Sequence, residues 1–147
     1  MKYLLCSLMS LLPGIASAHV LPRLDGNYQM KLTIGEHLFL DQMKLKGQQS
    51  PLHLYRFNGN IVGTITVPGI FSSPLNGTAQ CSRKTSSCNL QFEILAVEGG
   101  RSYKVIYKAQ MAPENFKKAL HGETPVLTGS AYLESGELLG NFIATRQ

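Results

Sequence analysis

Three kinds of side chain in this 147-residue chain have chemistry beyond packing: two neighbouring thiols, four imidazoles and a scatter of carboxylates. Cys81 and Cys88 enclose Ser-Arg-Lys-Thr-Ser-Ser, a polar, turn-forming stretch. Redox-active pairs commonly use Cys-x-x-Cys, and a structural zinc needs more thiolate or imidazole ligands than this segment carries. One structural disulfide at the tip of a hairpin is therefore expected, contributing about 2.5 kcal/mol by loop-closure entropy. Such a staple would also pre-order Arg83 and Lys84 for an acidic protein partner.

The imidazoles point more weakly to chemistry. Cleavage after Ala18 would expose His19, whose α-amine and ring together form a chelate suited to copper. A second imidazole is required, and His37, His53 and His121 show neither His-x-His nor His-x-x-x-His spacing. Among the carboxylates, Asp25, Asp41 and the glutamates accompany serines and histidines without a Gly-x-Ser-x-Gly elbow, a His-Glu-x-x-His pair or a phosphate-cradling glycine loop. With no catalytic motif, the chain is expected to bind rather than to transform, and no cofactor is implied.

Composition narrows the class. An apolar fraction of 44% with 16% charged residues can build a core and argues against disorder. The net charge of +5 is dispersed, with only Arg83-Lys84 and Lys117-Lys118 adjacent, so the clustered cations of a nucleic-acid site are missing. Residues 1–18 read as a secretory signal: Lys2, an apolar run over 4–12, and Ala16-Ser17-Ala18 as a small-x-small cleavage site. A membrane span needs about 20 apolar residues, and Pro13-Gly14 interrupts this run. Cys6 would leave with the signal, and residues 19–147 would form a single secreted or periplasmic domain in which Cys81 and Cys88 oxidise.

Period-two alternation then fixes the elements. Tyr28, Met30, Leu32 and Ile34 alternate with Asn27, Gln29, Lys31 and Thr33, and Gly35 ends the run. From 37 to 46 the pattern is rougher, because Leu38-Phe39-Leu40 is apolar on both sides, and a bulge or local double burial is expected there. Residues 52–57 and 61–67 read as a hairpin turned by Asn58-Gly59, whose residues tolerate positive φ. Pro68-Gly69 stops the next strand and 71–74 reads as an irregular corner before a strand at 75–82. Glu98-Gly99-Gly100 and Ser135-Gly136 mark two further hairpin turns. Pro113, Glu114, Lys117-Lys118 and Gly122 punctuate one short helix over 113–120, with Phe116 and Leu120 on one side to pack across an opening of the sheet. About nine strands with short connections predict an all-β fold, an antiparallel up-and-down barrel of eight to nine strands, with a two-sheet β-sandwich as the alternative.

Leu24-Asp25-Gly26-Asn27-Tyr28, Gly63-Thr64-Ile65-Thr66-Val67, Leu127-Thr128-Gly129 and Leu139-Gly140-Asn141-Phe142-Ile143-Ala144-Thr145-Arg146 together resemble the small secreted bacterial lipocalin-like (calycin-like) barrels. The family's early Gly-x-Trp has no tryptophan here, and Tyr28 takes the nearest position. The resemblance implies a barrel whose last strand passes close to its neighbour, with an aromatic filling one end. A barrel of this size can enclose one small apolar or amphipathic ligand. The candidate lining is Leu90, Phe92, Ile94, Tyr103, Val105, Tyr107 and Phe142, with tyrosine hydroxyls to orient a polar head. Alternation identifies the apolar face and leaves open whether the space behind it is filled or hollow.

Overall fold

The computed structural model describes residues 21–47 and 56–147. These fold as β1 (Gly26–Ile34), β2 (His37–Gly47), β3 (Arg56–Val67), β4 (Phe71–Ser82), β5 (Ser87–Glu98), β6 (Arg101–Met111), α1 (Pro113–Leu120), β7 (Val126–Leu133) and β8 (Leu138–Arg146). Every strand pairs antiparallel with its sequence neighbour, and β8 pairs with β1 from Tyr28↔Arg146 to Thr33↔Asn141, so the eight strands close into an up-and-down barrel. Closure removes the unpaired edges through which open sheets aggregate. This architecture is consistent with a lipocalin-like barrel, and it excludes the sandwich.

Among the described residues there are eight strands rather than nine, because Asn58-Gly59 is not a turn; residues 52–55 of the expected hairpin lie outside the described residues. Asn58 and Gly59 lie inside β3, opposite Gln80 and Ala79 of β4. Phe57, Ile61 and Ile65 are all buried, so the two-residue period runs unbroken through the pair, and burial of that face outweighs the local turn preference. The turn that joins β3 to β4 is instead Pro68-Gly69-Ile70, with Gly69 at φ +77° and Ile70 N–H donating to the Val67 carbonyl. The expected corner at 71–74 is likewise part of β4. Pro74 has no N–H, and near it the Ser73 hydroxyl accepts from Leu95 N–H of β5 at 3.2 Å. No bulge relieves Leu38-Phe39-Leu40: the β1–β2 register is continuous, and all three stay exposed. Among the described residues, the one register shift lies between β7 and β8 at Ala131/Tyr132.

Four glycines, Gly129 and Gly140 among them, let the wall coil tightly. A Cβ on Gly129 would fall 2.0 Å from the Lys108 carbonyl of β6, and one on Gly140 would fall 2.0 Å from the Thr33 carbonyl of β1. Only a residue without a side chain permits these approaches.

The two ends of the barrel differ. At one end, the β4–β5 turn, α1 and the 21–25 segment cover the strands. Leu24, Phe57, Cys81, Cys88, Met111, Phe116 and Leu127 are buried together there. Hydrogen bonds tie the segment down: Tyr28 Oη donates to the Leu24 carbonyl at 2.7 Å, Gly47 N–H donates to Asp25 Oδ1 at 2.7 Å, and Arg146 Nη1 donates to the Arg23 carbonyl at 3.2 Å and the Asp25 carbonyl at 3.4 Å. Burial pushes the Tyr28 phenol up to about 12, with Arg146 opposing and Asp25 adding to the rise. Cys81 and Cys88 face each other across β4 and β5 with Cα atoms 4.0 Å apart and form the disulfide. Helix α1 forms where its Pro and acidic residue favour a start and its lysines an end. It buries Phe116 and leaves Leu120 half-buried over this end. Among the described residues, the opposite end carries the β1–β2, β3–β4, β5–β6 and β7–β8 turns and nothing else.

Candidate functional site

The interior is neither wholly filled nor wholly hollow. Across its middle, Phe92 of β5 and Tyr107 of β6 are direct ladder neighbours and stack at 5.0 Å. Phe142 of β8 meets Tyr107 edge-on at 5.6 Å. Each such contact adds about 0.5–1.5 kcal/mol to the area buried, and the cluster partitions the barrel. Below it the space is occupied by Met43, Leu45, Ile61, Leu75, Ala79 and Leu90, all buried.

Above it, toward the end with only turns, lies a cavity of about 340 Å³. Leu32, Ile94, Ala96, Val105 and Tyr107 line it with buried side chains, and Ile34, Phe71, Tyr103 and Leu139 line it half-buried. Its mouth is bordered by Phe39, Ile70 and Val97, which are exposed. Of the seven lining residues expected from the sequence, Ile94, Tyr103, Val105 and Tyr107 face this cavity. Leu90, Phe92 and Phe142 do not, since they belong to the packed middle and lower barrel. Alternation puts all seven on one face, and their height along the barrel separates them. A larger recess of about 690 Å³ lies against β1–β3, walled largely by outward side chains such as Gln29, Gln42, Lys44 and Thr64. It belongs to the outer surface.

One buried carboxyl breaks the apolar lining. Asp41 of β2 is 2% exposed, stands among the cavity's lining residues, and its Oδ1 is buried with no hydrogen-bond partner among the described residues. Loss of water around the carboxyl raises Asp41 from 3.8 to about 6. The same loss of water raises the Tyr107 phenol, helped by the Asp41 charge and by Tyr103. Nearer the mouth, Tyr103 Oη donates to Glu98 Oε2 at 3.2 Å, and burial followed by that carboxylate raises Tyr103 as well. An unpaired buried carboxylate costs several kcal/mol of solvation, so its place in an otherwise apolar interior asks for a partner. The signal was present in the sequence: Phe39, Asp41, Met43 and Leu45 are in phase, and that makes Asp41 inward-facing.

The remaining candidates lie elsewhere. Arg83 and Lys84 sit exposed on the β4–β5 turn at the closed end, away from the cavity. Of the imidazoles, His37 begins β2 at the open end and His121 follows α1 at the closed end, so these two share no site. His19 and His53 lie outside the described residues, as do residues 1–18 of the expected signal. Among the described residues no group of three metal-ligating side chains converges, and no helix is long and apolar enough to cross a membrane. No family model, curated protein or solved structure matches the chain.

Proposed function

We propose that the protein binds a small apolar or amphipathic ligand in the open half of its barrel, and that it acts in a secreted or periplasmic setting after cleavage between Ala18 and His19. The observation that carries the binding role is the cavity of about 340 Å³, apolar except for Asp41, Glu98 and the tyrosine hydroxyls, and bordered by exposed apolar residues. That size lies at the small end of ligand sites, which are mostly apolar with a few placed polar groups. The buried Cys81–Cys88 disulfide is consistent with an oxidising compartment.

Native mass spectrometry of the protein recovered undenatured from its producing cell tests cargo and processing in one spectrum. The mass should match residues 19–147 less two hydrogens, with a discrete small-molecule adduct. Ala96→Phe should project a ring into the cavity and abolish that adduct while leaving the barrel folded by circular dichroism. An adduct retained in this variant would place the ligand elsewhere.

A further inference from the structure

On the binding role proposed above, we infer that the ligand carries a hydrogen-bond-donating, cationic head, an amphiphilic amine rather than a fatty acid, and that Asp41 receives it. The lining contains no Lys, Arg or His among the described residues, and its two carboxyl side chains are Asp41 and Glu98. A carboxylate head drawn into this space would find no cation, would meet a buried like charge, and would leave Asp41 Oδ1 unpaired. An ammonium or amine head supplies the missing donors to that oxygen, and a charge-assisted bond is among the stronger kinds available. The alkyl part of such a molecule lies against Leu32, Ile94, Ala96 and Val105.

The open end has the matching sign. Glu36, Glu98, Glu134 and Glu137 are exposed on or beside three of its four turns, against the basic Arg101, His37 and Lys104, the last paired with Glu134 at 3.8 Å. The basic pairs Arg83-Lys84 and Lys117-Lys118 lie at the closed end. A chain of net charge +5 therefore presents an acidic entrance. Like-signed walls concentrate a cationic ligand and disfavour an anionic one.

The groups that face Asp41 across the cavity are Tyr107, Tyr103 and Glu98, and its neighbour on β1 is the apolar Met30. Tyr103 and Tyr107 stay neutral well above neutral pH, because both phenols are raised. Asp41 is thus the inner group whose charge changes in the mildly acidic range.

Isothermal titration of the disulfide-intact protein with octylamine, octanol and octanoate, matched in chain length, tests the inference near neutral pH. Octylamine should bind at least about tenfold more tightly than octanoate, with octanol between them. Asp41→Asn should erase the preference for the amine while octanol still binds, and the preference should shrink in the wild type as pH falls below about 6. Non-specific attraction to a net positive chain favours octanoate, so it cannot imitate this result. Equal or tighter binding of octanoate, blocked by Ala96→Phe, would overturn the cationic head and leave the binding role standing. Absence of heat with all three probes, together with no adduct in the native spectrum, would overturn both. Should Asp41→Asn fail to fold, Glu98→Gln at the exposed entrance should still weaken octylamine relative to octanol, and an unchanged ratio would count against an acidic route to the cavity.

Discussion

Met30 and Asp41 are direct neighbours on the β1–β2 ladder, and both are buried in the barrel, at 0% and 2% exposure. An apolar side chain and a carboxyl thus occupy equivalent inward positions one strand apart. The thioether can give Asp41 no proton, and Oδ1 has no partner among the described residues. Asp41 is costly to the empty barrel, and this cost gives its replacement an unusual sign.

Asp41→Asn should stabilise the ligand-free protein near neutral pH by about 1–3 kcal/mol. Because the folded value of Asp41 is raised from 3.8 to about 6, the native state holds its proton between those values while the unfolded chain has lost it. The contribution of this group is therefore most favourable below about pH 4 and is lost as pH rises to about 6. Urea denaturation of both proteins across that range should show a gap that opens with pH and stays constant above about 6. A gap that narrows with rising pH would contradict the assignment.

Gly129→Ala should cost about 3 kcal/mol or prevent folding, because its Cβ would collide with the Lys108 carbonyl of β6. The colliding atom is backbone and cannot swing aside as a side chain could. A thermal melt within about 2 °C of wild type would show that β6 and β7 lie farther apart.

Tyr28→Phe should destabilise by about 1–2 kcal/mol through loss of the 2.7 Å bond that leaves the Leu24 carbonyl unpaired. The effect belongs to the closed end. Limited proteolysis should cut more rapidly between 21 and 25, while octanol titrates the cavity as in the wild type.

Reduction of Cys81–Cys88 should lower stability by about 2–3 kcal/mol and leave the barrel assembled, since β4 and β5 pair well beyond the bridge, to Asn76↔Glu93. Differential scanning calorimetry with and without reductant measures the loss. Ligand titration should be unaffected, because the bridge and the cavity are at opposite ends. If reduction abolished titration without unfolding the protein, the β4–β5 turn with Arg83 and Lys84 would become the place to look for the binding partner.

Much of this molecule follows from local pattern alone. Alternation at 28–34, the Gly99-Gly100 and Ser135-Gly136 turns, and the Pro113 start of α1 each rest on the geometry of a few consecutive residues, and each is where the sequence puts it. Asn58-Gly59 has equally strong local chemistry for a turn, yet pairing with Gln80 and Ala79 over a twelve-residue ladder draws it into β3. Cross-strand burial of Phe57, Ile61 and Ile65 is worth more than one turn preference, and a single-strand pattern does not contain that comparison.

The site divides in the same way. A two-residue period determines that Leu90, Phe92, Ile94, Tyr103, Val105, Tyr107 and Phe142 face inward, and it places Asp41 in phase with Phe39 and Met43. Whether an inward residue meets a neighbour or an empty space depends on the side chains arriving from strands far away in sequence. Phe92, Tyr107 and Phe142 come together from β5, β6 and β8 to fill the middle, and only that tertiary meeting leaves the cavity above them, with Asp41 Oδ1 beside it unpaired among the described residues.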